Sequence, residues 1–495
     1  AKASYPSNPL EDEELKNKFQ LITAPVSTLT LEALKSSSLS NSQKQKCKNF
    51  FALGIVFWLF NRSLEVTTRW IEQKFKADPE LCQANLSALH GGMAFAQASE
   101  LFHSNFEIRP AKLPPGTYRN ITGNAGIAYG LLAASVQAKL PLFYAGYPIT
   151  PASDILHEIA RHKSFGAITF QAEDEIAAAC AAIGASYAGQ IGVTASSGPG
   201  ILLKQEAINL ALIAELPLVI LNIQRAGPST GMPTRNEQTD LLSSLYGRNG
   251  ESPIPIVAVS TPSDAFDATV EACRIAVEYM TPVFLMSDGS IGNGSEPWRI
   301  PELESITPIT PKFAKAHSTY EPYARDPKTL TRTWAVPGTA GLEHRIGGLE
   351  RQDITGAISY DPINHEKMVA LRAGKVEKIA EKFEPLEIAG DPQGDLLVLG
   401  WGSTLGAISA GVERARRSGL KVSRLHLRHL NPLPRDLGAV LSRFKKVLVA
   451  ELNSGQLLGI IRSKYLIDAQ GLNKIQGQPF KVAEIQTGIE EALRR

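Results

Sequence analysis

Gln171-Ala-Glu173-Asp174-Glu175 sets three carboxylates ahead of the run Ile-Ala-Ala-Ala-Cys-Ala-Ala-Ile-Gly184. Acids in a first turn complement the positive end of a helix, so charge-compensated capping explains the cluster by itself. The helix behind them is almost purely Ala and Ile and reads as buried on all sides. Burial at its head would raise the pKa of a carboxylate there, which is how an acid is prepared for proton transfer. Tyr147-Pro-Ile-Thr150-Pro-Ala-Ser153-Asp154 gathers hydroxyls, a carboxylate and backbone donors at a second strand-to-helix corner. An anion suits such a corner, although plain N-capping by Ser153 is the simpler reading of it.

Two further loops hold polar groups that the hydrophobic pattern does not explain. Ser196-Ser197-Gly198-Pro-Gly200 is a strand-to-helix glycine loop without a Gly-Lys-Ser/Thr ending or GxGxxG spacing. It is either a tight turn or a place where backbone approaches a cofactor. Gln224-Arg225-Ala-Gly-Pro-Ser-Thr-Gly-Met-Pro-Thr234-Arg235-Asn-Glu-Gln238 contains two arginines and three hydroxyls. Its glycines and prolines would stiffen it, and arginine pairs bidentately with carboxylates, so Arg225 or Arg235 suits an acidic substrate. Ser287-Asp288-Gly289…Asn293-Gly294 is too compact for a metal–diphosphate motif and reads as a strand-end turn. His90, His103, His317, His344, His365, His426 and His429 lack metal-ligand spacing, so no metal is expected on this chain.

These loops need a scaffold. From Arg119 to about Glu296, short apolar strands (140–145, 167–171, 192–195, 218–223, 256–258 and 283–286) alternate with helices (154–162, 176–188, 201–215 and 264–279). Fully apolar strands between amphipathic helices predict a doubly wound parallel sheet, with ligands at the carboxyl ends of its strands. The Pro-rich link Arg109–Tyr118 separates this block, 117–296, from an opening helical segment, 1–110, with helices near 31–35, 43–60, 65–75 and 79–102. Residues 297–385 are Pro-rich and aperiodic, an extended arm closed by a helix over 368–383. A second, smaller α/β domain, 386–495, follows, with strands at 396–399, 422–426, 446–451 and 481–483 and helices at 405–418, 433–444 and 456–467.

The 495 residues carry 51 Lys+Arg against 49 Asp+Glu, a balance of +2 that supplies no long-range field for nucleic acid or an anionic membrane. Cys47, Cys82, Cys180 and Cys273 are too dispersed for a disulfide framework or a metal cluster. With no leader and no long apolar run, the expected setting is cytoplasmic.

Together, Gly146-Tyr-Pro-Ile-Thr-Pro-Ala-Ser-Asp154, Gln171-Ala-Glu-Asp-Glu-Ile-Ala-Ala178, Thr194-Ala-Ser-Ser-Gly-Pro-Gly200 and the Gln224–Arg235 loop resemble the α subunit of 2-oxoacid:ferredoxin oxidoreductases. Gly400-Trp-Gly-Ser-Thr404, Asn431-Pro-Leu-Pro434 and Glu451-Leu-Asn-Ser-Gly-Gln-Leu457 are similar to that family's transketolase C-terminal-like domain. Cys47-Lys-Asn-Phe-Phe-Ala-Leu-Gly54 looks like the end of the γ domain that some members fuse ahead of α, an arrangement typical of the 2-oxoglutarate branch. The glycine-rich first half expected of such a domain does not stand before it.

The resemblance implies oxidative decarboxylation of a 2-oxoacid on thiamine diphosphate, with coenzyme A taking the acyl group and ferredoxin the electrons. The 117–296 block would be the pyrimidine-binding half. A separate β subunit would bring the diphosphate site, magnesium and a four-iron four-sulfur cluster, in a heterodimer doubled to a heterotetramer. Activating thiamine needs a carboxylic acid on the ring nitrogen of its aminopyrimidine. In related helices that glutamate lies nine residues before a glycine, the interval from Glu175 to Gly184, which selects Glu175 over Glu173. By the same resemblance Thr150 meets the substrate's 1-carboxylate, Arg225 and Thr234 its carboxylate charge, and Tyr147, Pro148, Ile149, Ser197 and Gly198 the cofactor. The rival expectations are a pyruvate- or other 2-oxoacid-specific member, a non-catalytic assembly subunit, and a nicotinamide dehydrogenase, the last weakened by the missing GxGxxG.

Overall fold

The computed structural model describes residues 7–99, 104–317 and 319–494, so the first residues of the opening segment, the end of the 79–102 helix and His103 lie outside it. The chain divides into two compact units, 1–115 and 116–495. In the first, the helices Lys48–Leu59 and Pro79–Ala98 cross at glycines. A Cβ on Gly54 would fall 2.1 Å from the Leu89 carbonyl oxygen, and one on Gly92 1.9 Å from that of Phe51. Only glycine permits so close an approach, and it lets Phe51, Ala84 and Ala88 form a core with Leu34 and Cys47.

The second unit has strands β1 (Tyr118–Thr122), β2 (Leu142–Gly146), β3 (Ile168–Gln171), β4 (Ile191–Ser196), β5 (Leu218–Gln224), β6 (Ile256–Ala258), β7 (Pro282–Asp288) and β8 (Ser295–Arg299). Its tail adds β9 (Gly394–Trp401), β10 (Val422–Leu427), β11 (His429–Asn431), β12 (Phe444–Glu451) and β13 (Gln470–Asn473). The main sheet runs β11-β6-β7-β5-β4-β2-β3, and all its members are parallel except β11. Every residue of β4, β5 and β7 is buried because helices cover both faces. The helices Gly123–Ala138 and Asp264–Tyr279 build the core on one face, and Glu175–Tyr187 and Gln205–Ile213 the core on the other. Among the described residues no helix is long and apolar enough to cross a membrane.

The small domain is a parallel sheet, β10-β9-β12-β13. Its inner face (Leu397, Trp401, Leu425, Val449) shares one core with the main sheet, and β11 crosses over to pair with β6. Its fourth strand is Gln470–Asn473 rather than the expected 481–483, which opens the Val482–Arg494 helix. The apolar residues there repeat at the helical interval, with Ile485 and Ile489 both buried. The expected 201–215 helix is broken at Lys204 into Gly198–Leu203 and Gln205–Ile213. The arm is no free linker: Ile309 and Trp334 sink into the main core, and the Trp334 indole donates to the Ser186 carbonyl at 3.1 Å.

Candidate active site

The Tyr147–Asp154 turn follows β2, Ala172–Glu175 follows β3, Ser197–Gly200 follows β4 and Arg225–Gln238 follows β5. All four loops therefore leave the same carboxyl edge of the sheet. Hydrogen bonds tie three of them together. The Thr150 carbonyl accepts from Arg225 Nη1 at 2.8 Å and from Ser197 Oγ at 3.4 Å, and Ser197 Oγ also donates to the Ile223 carbonyl at 2.8 Å. Ser153 is the first residue of its helix, so it does not cap it. Its hydroxyl instead turns back to the Ile149 amide and carbonyl, closing the turn on itself. The Thr150 side chain is exposed, and Tyr147, Pro148 and Ser153 line a small cleft with Gln171 and Ala195.

The three acids at the helix head separate by environment. Asp174 is the N-cap and accepts from the Ala177 amide at 2.7 Å, Glu173 is exposed, and Glu175 is buried. The Glu175 carboxyl lies over the Gly200 backbone. A Cβ on Gly200 would fall 2.8 Å from Glu175 Oε1 and 2.1 Å from Ser196 Oγ, so only glycine leaves this cradle open. The helix behind is not buried on all sides as expected. Ile176 (48% exposed), Cys180 and Gly184 form an outward stripe one turn apart, because these positions fall on the face away from the sheet. Leu202 and Leu203 are exposed beside the same loops, as are Ile168 and Phe170 on edge strand β3. An apolar surface grouped around a buried carboxylate has the composition of an interface.

Arg225 is 7% exposed, and its Nε finds no partner among the described residues. Its charge acts on Asp240, whose carboxyl burial pushes up to about 6 and which abuts Gly198. Thr234 and Arg235 ride an exposed turn held by the Ala226 amide on the Arg235 carbonyl and the Met232 amide on the Ala226 carbonyl, at 3.0 Å each. Gly231 turns that loop at φ +51, where a Cβ would meet the Ala226 carbonyl oxygen at 2.1 Å. Asp288 caps the short helix after β7, accepting from the Ser290 and Ile291 amides at 3.0 and 3.1 Å.

The motifs of the small domain serve as a seam within the second unit. Gln238 Nε2 donates to the Trp401 carbonyl at 2.8 Å, while its Oε1 accepts from the Leu452 amide at 3.1 Å. Asn453 Nδ2 bridges the Gln238 carbonyl and Glu451, whose carboxylate also takes the Trp401 indole and the Leu457 and Leu458 amides. This buried network fixes the Arg225–Gln238 loop from behind. Asp240 and Lys204 escaped the sequence reading; a lone lysine between Leu203 and Gln205 in an otherwise apolar helix pattern was the available signal for the latter.

The family described as "Pyruvate flavodoxin/ferredoxin oxidoreductase, thiamine diP-bdg" matches residues 134–359. The 2-oxoglutarate oxidoreductase subunit KorA of Mycobacterium tuberculosis is 51% identical over 494 residues, 99% of this chain and 75% of that protein. The chain belongs to the 2-oxoacid:ferredoxin oxidoreductase family. Within this family, the 2-oxoglutarate synthase subunit KorA of Archaeoglobus fulgidus is 33% identical over 74% of this chain and 98% of that protein. The solved 2-oxoglutarate:ferredoxin oxidoreductase of Magnetococcus marinus, with 2-oxoglutarate, coenzyme A and succinyl-CoA bound, superposes with a TM-score of 0.86. It is 32% identical and covers 94% of this chain and 80% of that one. The chain therefore shares its fold with this family along nearly its whole length.

Proposed function

We propose that this chain is the α-type subunit of a 2-oxoglutarate:ferredoxin oxidoreductase. It would support the CoA-dependent oxidative decarboxylation of 2-oxoglutarate to succinyl-CoA, with the electrons passing to ferredoxin. Thiamine diphosphate, when bound, supplies the carbon nucleophile for decarboxylation. It would be shared with a β subunit that carries magnesium and a four-iron four-sulfur cluster, the pair being doubled to a heterotetramer. The residues at the carboxyl edge suit an aromatic cofactor ring: a glycine cradle at Gly200, a buried acid beside it, and the buried Ser196 Oγ, which has no partner among the described residues.

The observation that carries this reading is Glu175, the one of three neighbouring acids that is buried, set beside an apolar exposed stripe where a partner subunit can close the site. Its task is to hold a proton on the pyrimidine ring nitrogen. Tyr147, Pro148, Ile149, Ser197 and Gly198 would flank that ring. The exposed Thr150 hydroxyl would meet the substrate's 1-carboxylate, and Arg225 with Thr234 its remaining charge. Glu175→Gln, assembled with the β subunit, is expected to lower 2-oxoglutarate-dependent ferredoxin reduction by at least about a hundredfold while the complex still forms on gel filtration. Near-normal turnover would refute the assignment.

A further inference from the structure

The mechanism just given leaves one buried side chain at the carboxyl edge unused. Tyr144 stands two residues before Gly146 on β2, so the two share a face of the sheet. Gly146 pairs in register with Gln171 at the end of β3 and with Ala195 near the end of β4. All four line the cleft of about 60 Å³ that Tyr147 and Pro148 of the following turn also line. Tyr144 is only 1% exposed, yet no charge or hydrogen bond from the described residues acts on its hydroxyl. Burial alone pushes the phenol up, so it stays neutral, able both to donate and to accept. Buried tyrosine hydroxyls ordinarily find a partner. Gly146 keeps this one uncovered, since a Cβ there would lie 3.3 Å from Tyr144 Cε1 and 3.9 Å from its Oη.

We propose that Tyr144 is a further contact of the cofactor site: its hydroxyl hydrogen-bonds a neutral polar edge of the aminopyrimidine ring when thiamine diphosphate is bound. This rests on the thiamine reading above and adds to it a residue from inside the sheet. Placement at the strand ends supports it. Ala195 lines the cleft, whereas the next residue, Ser196, turns to the opposite face. There Ser196 Oγ and Glu175 Oε1 lie 2.1 and 2.8 Å from the position a Cβ on Gly200 would take. A ring laid across the end of β4 therefore has the acid on one side and Tyr144 on the other. The chemistry of the cleft selects a neutral group over the substrate's carboxylates. Among the described residues its other polar side chains bring no free positive charge: Ser153 Oγ is spent on the Ile149 amide and carbonyl, Gln171 is neutral, and His157 lies 4.0 Å from Asp154. A carboxylate held among apolar walls without a countercharge is costly, and the same holds for the phosphates of coenzyme A.

The test uses Tyr144→Phe, which removes the hydroxyl, and Gly146→Ala, which covers it, each assembled with the β subunit. Calorimetric titration with thiamine diphosphate and magnesium should show Kd raised about three- to tenfold in Tyr144→Phe, the loss expected of one neutral hydrogen bond. Gly146→Ala should weaken binding at least as much, and the double variant should be no worse than Gly146→Ala alone. Melting of the cofactor-free Tyr144→Phe complex should be unchanged or higher, because no bond within the fold is lost. A fall there would give the hydroxyl a partner in the fold and overturns the proposal. With cofactor saturating, KM for 2-oxoglutarate and for CoA should stay at wild-type values. An unchanged Kd in Tyr144→Phe overturns the proposal and leaves the hydroxyl to water. A raised KM for either substrate with an unchanged Kd overturns it too, by moving Tyr144 to that ligand. Should Tyr144→Phe fail to assemble, Gly146→Ala decides alone, and an unchanged Kd there overturns the proposal. Failure of the thiamine reading itself looks different: the wild-type complex would then bind no thiamine diphosphate, and Glu175→Gln would leave turnover intact.

Discussion

Two buried lysines in the same unit are treated in opposite ways. Lys375 sits in a closed network: its ammonium meets Glu215 at 2.6 Å and the Met280 carbonyl at 3.0 Å, and Arg325 forks onto the same Glu215 carboxylate. Glu215 is fully buried in a left-handed turn at φ +51, and its carboxyl is held far below the usual range by Lys375 and Arg325 against the cost of burial. Arg332 adds a bond to the Ala214 carbonyl at 3.0 Å, so the arm is bolted to the sheet by paired charge. Lys204 instead meets neutral acceptors, Thr194 Oγ1 and the Ala195 carbonyl, and Ala195 lines the cleft at the carboxyl edge. A charge whose partners all come from the fold is structural; one whose partner faces a cleft is available to a ligand.

The largest effect that could break this contrast is on stability. Glu215→Gln would strand two buried cations and is expected to cost about 3–5 kcal/mol in denaturant unfolding, with activity per folded molecule retained. The pH dependence has a fixed sign. Because the folded carboxyl is depressed, its contribution is complete above the ordinary carboxylate range and is lost as pH falls through and below it. The wild type should therefore lose melting temperature between about pH 5 and pH 3 more steeply than Glu215→Gln. Parallel curves, or a variant that keeps its stability and loses turnover, would assign Glu215 to the site and erase the distinction.

A smaller effect is expected on assembly. Ile176→Asp puts a charge on the exposed Ile176–Cys180–Gly184 stripe. Affinity for the β subunit should fall by about tenfold to a hundredfold, with the melting temperature of the isolated chain unchanged. Unaltered co-purification would separate the acid from any subunit seam.

The same contrast explains what could be read in advance. Strands such as Leu218–Gln224 are legible because burial on both faces demands an unbroken apolar run. The Gly123–Ala138 helix is not, because Gly126 and Gly130 pack directly against the backbone at Pro262 and Phe266, and small residues at a helix crossing leave no periodicity. Gln470–Asn473 hides for the opposite reason, being a half-exposed edge strand without an apolar repeat. At the site, Glu175 and the four loops were visible as motifs. The bond from Arg225 to the Thr150 carbonyl was not, since it joins loops that only the β2-β4-β5 order brings together.

The smallest effect is one of selectivity, and it sharpens the role of the second loop. Arg225 is held at one nitrogen by the Thr150 carbonyl, which aims the rest of the guanidinium and leaves Nε without a partner among the described residues. A dicarboxylate can use that remaining donor capacity; a monocarboxylate such as pyruvate has one group fewer to offer. Arg225→Ala should therefore raise KM for 2-oxoglutarate by about tenfold more than KM for pyruvate, with kcat for pyruvate little changed. Asp240 complicates the measurement, because Arg225 favours its charged form and loss of the arginine would push its carboxyl above about 6. Working near about pH 8 keeps Asp240 ionised in both proteins and isolates the substrate effect. Equal KM increases for the two substrates would remove Arg225 from recognition of the distal carboxylate and leave it, like Arg325, a bolt in the scaffold.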